Sequence, residues 1–270
     1  TYEKAKAVYE FMQSQTRYVS IQFGVGGMQP VLADKTYTNG YGDCKALSNL
    51  YVAMLKSVGI NAYYTLVLDK KKKNIIKEFP SNQFNHVIVC LPISNDTIWM
   101  ECTSQEIPFG YLGDFTDDRD VLVVSENSFI AHTKKYDYNN NVTVTHAEMD
   151  IDKDGNASFL INQSYQALSS EMMSSIYNYY TTAEQAQKIS DLFYFKNIQV
   201  DNFKFVMEKD SIQRLNFSAR LICREYASKT TNRFFIPLNQ IHPFIYKHHS
   251  DTNRLQPVVE QRNFTQVDTI

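Results

Sequence analysis

The stretch Tyr41-Gly42-Asp43-Cys44-Lys45-Ala46-Leu47 constrains this chain most, because it reads as the opening of a helix with a thiol in its first turn. Leu47, Leu50, Tyr51, Met54, Leu55 and Val58 recur at three- and four-residue steps, which predicts a helix to about Val58. Asp43 is a suitable N-cap and Gly59 a suitable stop. A cysteine at that end meets unpaired backbone N–H groups and the positive end of the helix dipole, both of which favour thiolate over thiol. Cys44 is therefore a candidate nucleophile.

The reactions open to such a thiol depend on its neighbours along the chain. Tyr2, Ala5, Val8, Tyr9 and Met12 predict an amphipathic scaffold helix over 2–15. After a short extended piece from Arg17, the segment Val25-Gly26-Gly27-Met28-Gln29-Pro30 reads as a glycine-rich loop. Gln29, and less directly Gln22, are candidate amide donors to a developing oxyanion. Residues Ala62 to Leu68 read as a strand, followed by a solvated connection carrying Lys70 to Lys73.

Two further strands, Phe84 to Leu91 and Thr97 to Thr103, flank Pro92-Ile93-Ser94-Asn95. Pairing Leu91 with Asp96 across that turn puts His86 directly opposite Glu101. Opposed residues hold their Cβ atoms about 4.5–5.5 Å apart, close enough for a carboxylate to accept the imidazole N–H and fix its tautomer. Cys44, His86 and Glu101 then supply a nucleophile, a base and an orienter.

Past an acidic loop over 108–120 and a buried strand at Val121 to Val124, the chain turns polar near 135–142, where a domain boundary is expected. The domains expected are 1–138 and 139–270. Strands are predicted at 143–149, 157–165, 203–207, 213–223 and 234–238, with a helix over 182–193. Asp150 to Gly155 imitates the start of a calcium loop, but Ile161 stands where a bidentate Glu is needed, so a hairpin turn at Asp154-Gly155 is the expectation. His242, His248 and His249 read as surface residues.

Composition removes several alternatives. A net charge of −2 gives no basic stripe for nucleic acid. The 17 Phe and 18 Tyr favour an ordered, strand-rich globule. No apolar run approaches the roughly 18 residues that cross a bilayer. The four cysteines, Cys44, Cys90, Cys102 and Cys223, have no C-x-x-C spacing, so neither a zinc site nor a disulfide framework is expected.

Arg17-Tyr18-Val19-Ser20-Ile21, the segment Gly24 to Pro30, Tyr41-Gly42-Asp43-Cys44-Lys45, Asn85-His86-Val87 and Trp99-Met100-Glu101-Cys102-Thr103 resemble, in order and spacing, the bacterial transglutaminase-like superfamily. The resemblance covers about residues 1–125 and implies a papain-like core of N-terminal helices and an antiparallel sheet, with Cys on a helix and His and an acid on adjacent strands. The remainder resembles the β-rich domain that follows such cores in Bacteroidetes proteins. Relatives usually carry Asp-Pro-Thr where this chain has Glu101-Cys102-Thr103, and many carry Asp at the position of Ala46.

The expected protein is thus α+β, a papain-like transglutaminase core followed by a β-sandwich-like domain. Its expected activity is thiol hydrolysis of peptide or side-chain amides through Cys44, His86 and Glu101, with no metal or organic cofactor and a peptide or protein as substrate. Acyl transfer to an amine, and a non-catalytic peptide- or glycan-docking module on the same core, are the alternatives. The chain opens at Thr1 without Met, which fits an excised domain or a mature form, and a periplasmic or otherwise exported location is the expectation.

Overall fold

The computed structural model describes residues 1–21, 27–69, 74–94, 96–193, 195, 197–209, 212–238, 240–241 and 263–269. Gln22, Lys70 to Lys73, His242, His248 and His249 lie outside the described residues. The fold is mixed α+β with several sheets, and the chain divides into two compact units, residues 1–136 with 209–213, and residues 137–208 with 214–270.

In the first unit, α1 (Tyr2–Gln15) buries Ala5, Tyr9 and Met12, the face its spacing predicts. Next come β1 (Arg17–Tyr18), α2 (Ala33–Asn39) and β2 (Tyr41–Gly42). The parallel pairing of β1 with β2 fixes the backbone immediately before Asp43. The central helix α3 (Cys44–Ser57) begins at an Asp43 N-cap whose carboxylate accepts the Ala46 N–H at 3.0 Å. It ends at Val58 and Gly59, the latter at φ +77°, a left-handed conformation that glycine adopts without steric cost.

The antiparallel sheet behind α3 has the order β5-β4-β3-β6-β7, from β3 (Tyr63–Val67), β4 (His86–Ile93), β5 (Asp96–Met100), β6 (Asp120–Val123) and β7 (Phe129–His132). One core joins α1, α3 and Val89, Leu91, Met100 and Cys102. A second joins Ile88, Cys90 and Trp99 to Val67, Val121 and Val123.

The β4–β5 register differs from the expected one. Ile93 pairs with Asp96, so the strand runs on through Pro92 to Ile93, and Ser94 follows at φ +54°. This register sets Val89 against Met100 and Leu91 against Ile98, and keeps Ile93 on the same apolar core. Apolar cross-strand pairs outweigh the turn signal of the proline.

The second unit is built on β8 (Val142–Ile151), β9 (Ala157–Gln166), α4 (Glu171–Tyr179), α5 (Thr182–Leu192), β10 (Ile198–Lys209), β11 (Gln213–Cys223), β12 (Ser228–Lys229), β13 (Phe234–Phe235) and β14 (Thr265–Thr269). Its five-stranded sheet has the order β10-β11-β9-β8-β14, with β14 parallel to β8. Met173 and Ile176 of α4 and Ile189 of α5 share a core with Phe159, Ile161, Phe217 and Leu221 of the sheet. Among the described residues of this unit the sheet shares its core with α4 and α5, and β12 and β13 form a separate two-residue ribbon.

The Asp150 to Gly155 segment is the β8–β9 hairpin, with Ile151 opposite Ala157. The Asp152 carboxylate accepts the N–H groups of Asp154 and Asn156, the chemistry of an Asx turn.

Candidate functional site

Cys44 heads α3 and is 6% exposed. Its neighbours there are fixed by polar bonds: Asp43 caps the helix through one oxygen and pairs with the buried Lys45 ammonium through the other. Gly42 is required by close packing, because a Cβ there would stand 2.6 Å from the Ala46 Cβ. Asp43 takes the Ala46 N–H through its side chain and the Leu47 N–H through its carbonyl. Among the described residues the N–H groups of Cys44 and Lys45 keep no acceptor. They are the ordinary orphan donors of a helix start.

His86 opens β4, and its Nε2 lies 2.8 Å from Glu101 Oε2. Cys44 lines the same cleft as this ring. The Phe115 ring packs against the imidazole at 5.7 Å between centroids. Burial works against the charged imidazole, but the Glu101 carboxylate and its bond to Nε2, with Cys44 nearby, outweigh it and raise the His86 pKa well above its ordinary value. Burial likewise opposes a charged Glu101, and His86 together with two bonds from Thr103 brings its pKa below the usual carboxylate range. Glu101 itself is completely buried just beyond the end of β5.

The predicted trio is therefore brought together by a different pairing from the expected one. In the observed register the residue opposite Glu101 would be Ile88, and His86 reaches Glu101 on the diagonal. A shift of two residues preserves the face of every side chain.

Gln29 is not brought into this group in the same way. It is exposed, although Met28 and Pro30 on either side line the cleft in front of Cys44. That cleft has a volume of about 590 Å³, and Cys44, Lys45, Tyr64, Phe84 and His86 are among its walls. Tyr64 is half-buried there, and burial and then the nearby charges of Cys44 and Asp43 raise its phenol pKa. Cys102, also close to Cys44, is raised by burial and by Glu101.

The sequence alone assigns no role to Thr103, Phe115, Lys45 or Tyr64. Thr103 left a readable sign, a hydroxyl residue two positions after a carboxylate, which is the spacing of a local side-chain-to-backbone turn. Phe115 sits in a loop whose path only the tertiary fold reveals.

Residues 1–107 match the family model of the transglutaminase-like superfamily, a segment that contains Cys44, His86 and Glu101. The match indicates a cysteine-based hydrolase or acyltransferase kind of function. No curated protein and no solved structure matches the chain. Among the described residues no helix is long and apolar enough to cross a membrane.

Proposed function

We propose that this protein is a thiol hydrolase that cleaves peptide or side-chain amides through Cys44, His86 and Glu101, with residues 1–138 as a papain-like catalytic core and 139–270 as an accompanying domain. The observation that carries this reading is that one imidazole, bonded to a fully buried carboxylate, shares the wall of a cleft with the helix-head thiol. Cys44 as thiolate attacks the amide carbonyl carbon. The oxygen takes the electron pair, with the Cys44 and Lys45 N–H groups at the helix start as its candidate donors. Collapse breaks the C–N bond as imidazolium His86 gives its proton to the leaving amine. His86, now neutral, takes a proton from water, which attacks the thioester and frees the carboxylate and the thiol.

An amine in the place of that water gives acyl transfer through the same thioester. Hydrolysis is favoured by solvent access, since Met28 on the cleft wall is 71% exposed. The test is intact mass after incubation with a peptidyl vinyl sulfone, followed by a fluorogenic peptide amide with and without an added primary amine. A single adduct on Cys44, lost in C44S, together with free carboxylate as the main product, is expected. Absence of an adduct would remove the hydrolase reading and leave the docking module.

A further inference from the structure

Glu101 carries one more methylene than the acid usual in the resembling family, and that extra length is a liability, because a longer side chain has more rotamers in which its carboxylate misses the imidazole. The structure removes this freedom locally. Glu101 Oε1 accepts the Thr103 hydroxyl at 2.6 Å and the Thr103 backbone N–H at 3.0 Å, leaving Oε2 to His86 at 2.8 Å. All three bonds are charge-assisted and converge on one buried carboxylate.

The main chain beneath it is fixed as well. The buried Tyr9 hydroxyl on α1 donates to the Glu101 carbonyl. The amide of Gln13, one turn further along α1, donates to the Ser104 and Ile107 carbonyls, both at 2.8 Å. The segment 101–107 is therefore tied to α1 from below while Thr103 grips the carboxylate from the side.

We infer that Thr103 is a positioning residue for the reaction, its hydroxyl and N–H holding the Glu101 carboxylate in the one orientation that presents Oε2 to His86. This rests on the hydrolase reading of the site. Thr103 touches neither Cys44 nor substrate in this role and acts only through Glu101. The valine variant removes the hydroxyl, keeps the N–H and keeps the shape, so Oε1 loses one of its two bonds without a cavity being created. A lost hydrogen bond to a charged group corresponds to about ten- to a hundredfold in rate.

The experiment compares wild type, T103V, T103S and the pair E101Q and E101Q/T103V. Two readouts are taken: the acylation of Cys44 by a peptide p-nitrophenyl ester against pH, and the titration of the His86 ring followed by NMR without substrate. T103V should acylate about tenfold or more slowly, its acid limb should move to higher pH, and the His86 titration should move down. T103S should restore most of the rate. In the E101Q background the valine change should have almost no further effect, because there is no longer a carboxylate to hold.

A T103V protein whose acylation rate and His86 titration both match wild type overturns the inference, as does an equal effect of T103V with and without Glu101, which would mark a merely structural role. If T103V does not fold, T103S against T103A carries the same comparison. A wild-type chain that forms no acyl-enzyme at Cys44 overturns the parent hydrolase reading and this one with it, whereas a normal acyl-enzyme with an inert Thr103 overturns this one alone.

Discussion

His86 and Glu101 meet on a diagonal of the β4–β5 pair, with Nε2 and Oε2 2.8 Å apart and the carboxylate shut off from solvent. A buried carboxylate is tolerated only when it is paired and hydrogen-bonded, and here one oxygen takes the imidazole while the other takes Thr103. The same pairing that makes burial of Glu101 tolerable raises the His86 pKa well above its ordinary value, on the wall of the cleft that Cys44 also lines.

Replacing Glu101 with Gln should remove that charge while keeping size. Loss of the comparable orienting carboxylate in serine proteases lowers turnover by about 10⁴, and a fall of similar order is expected in kcat for E101Q. E101D should also lose activity. One carbon–carbon bond, about 1.5 Å, separates the two acids, and the 2.8 Å contact in the wild type shows no stretch that shortening would relieve. A misplacement of that size costs up to about a hundredfold. Steady-state kinetics on a peptide amide decide the point, and an E101D protein faster than wild type would contradict the geometry.

The thiols should separate cleanly in a labelling experiment. Burial pushes the Cys90 thiol up to about 11, and Cys102 and Cys223 are also raised, in each case chiefly by burial. Among the described residues Cys44 alone of the four lines the cleft, which it shares with His86. Iodoacetamide near pH 6.5 should therefore modify Cys44 first, read by peptide mass mapping over time. Equal labelling of all four cysteines would remove the nucleophile.

The ion pair predicts a window of pH in which it stabilises the fold. His86 has a raised pKa in the folded state, so its contribution is complete below the unfolded value of about 6.5 and is lost as pH rises through the folded value. Glu101 has a lowered one, so its contribution is complete above the unfolded value of about 4.3 and is lost as pH falls through the folded value. The Tm advantage of wild type over E101Q should then be greatest between about pH 4.3 and 6.5 and shrink on either side. Thermal melts across pH 3 to 9 measure it, and a flat difference would mean that the pair is not ionised.

How far the sequence reveals this structure can be judged residue by residue. The helix α3 was legible at both ends because Asp43 and Gly59 are local signals whose chemistry does not depend on the rest of the fold. The meeting of His86 with Glu101 was legible for a weaker reason: the register was off by two, and only the two-residue period of a strand kept both side chains on one face. The helix α2 was not foreseen, since Thr36 is its sole buried residue and no apolar stripe marks it. In α4, Met173 and Ile176 are interleaved with Ser and Tyr of modest helix propensity, and tertiary packing supplies what the local sequence lacks. Gln29 stood at a suitable place in the chain, but spacing cannot aim a side chain, and it faces solvent.

Gly42 lets the helix that Cys44 heads start where it does. Gly42 has no left-handed φ, so its role is space. A Cβ on residue 42 would lie 2.6 Å from the Ala46 Cβ and 3.2 Å from the Thr36 Cγ2, and the nearer atom belongs to the first turn of α3, which cannot swing aside as a flexible side-chain tip can. G42A should force Asp43 and the head of α3 outward, costing about 1–3 kcal/mol of stability. Activity should fall further than stability, because Cys44 moves with the helix head while His86 and Glu101 stay on the sheet. Adding A46G removes the 2.6 Å clash and should restore part of the activity. Recovery will be incomplete, since the Thr36 contact remains and glycine within a helix costs about 1 kcal/mol. Chemical denaturation and peptide-amide turnover on G42A and on G42A/A46G measure both effects, and a G42A protein as active as wild type would show that the helix head is not held by this contact.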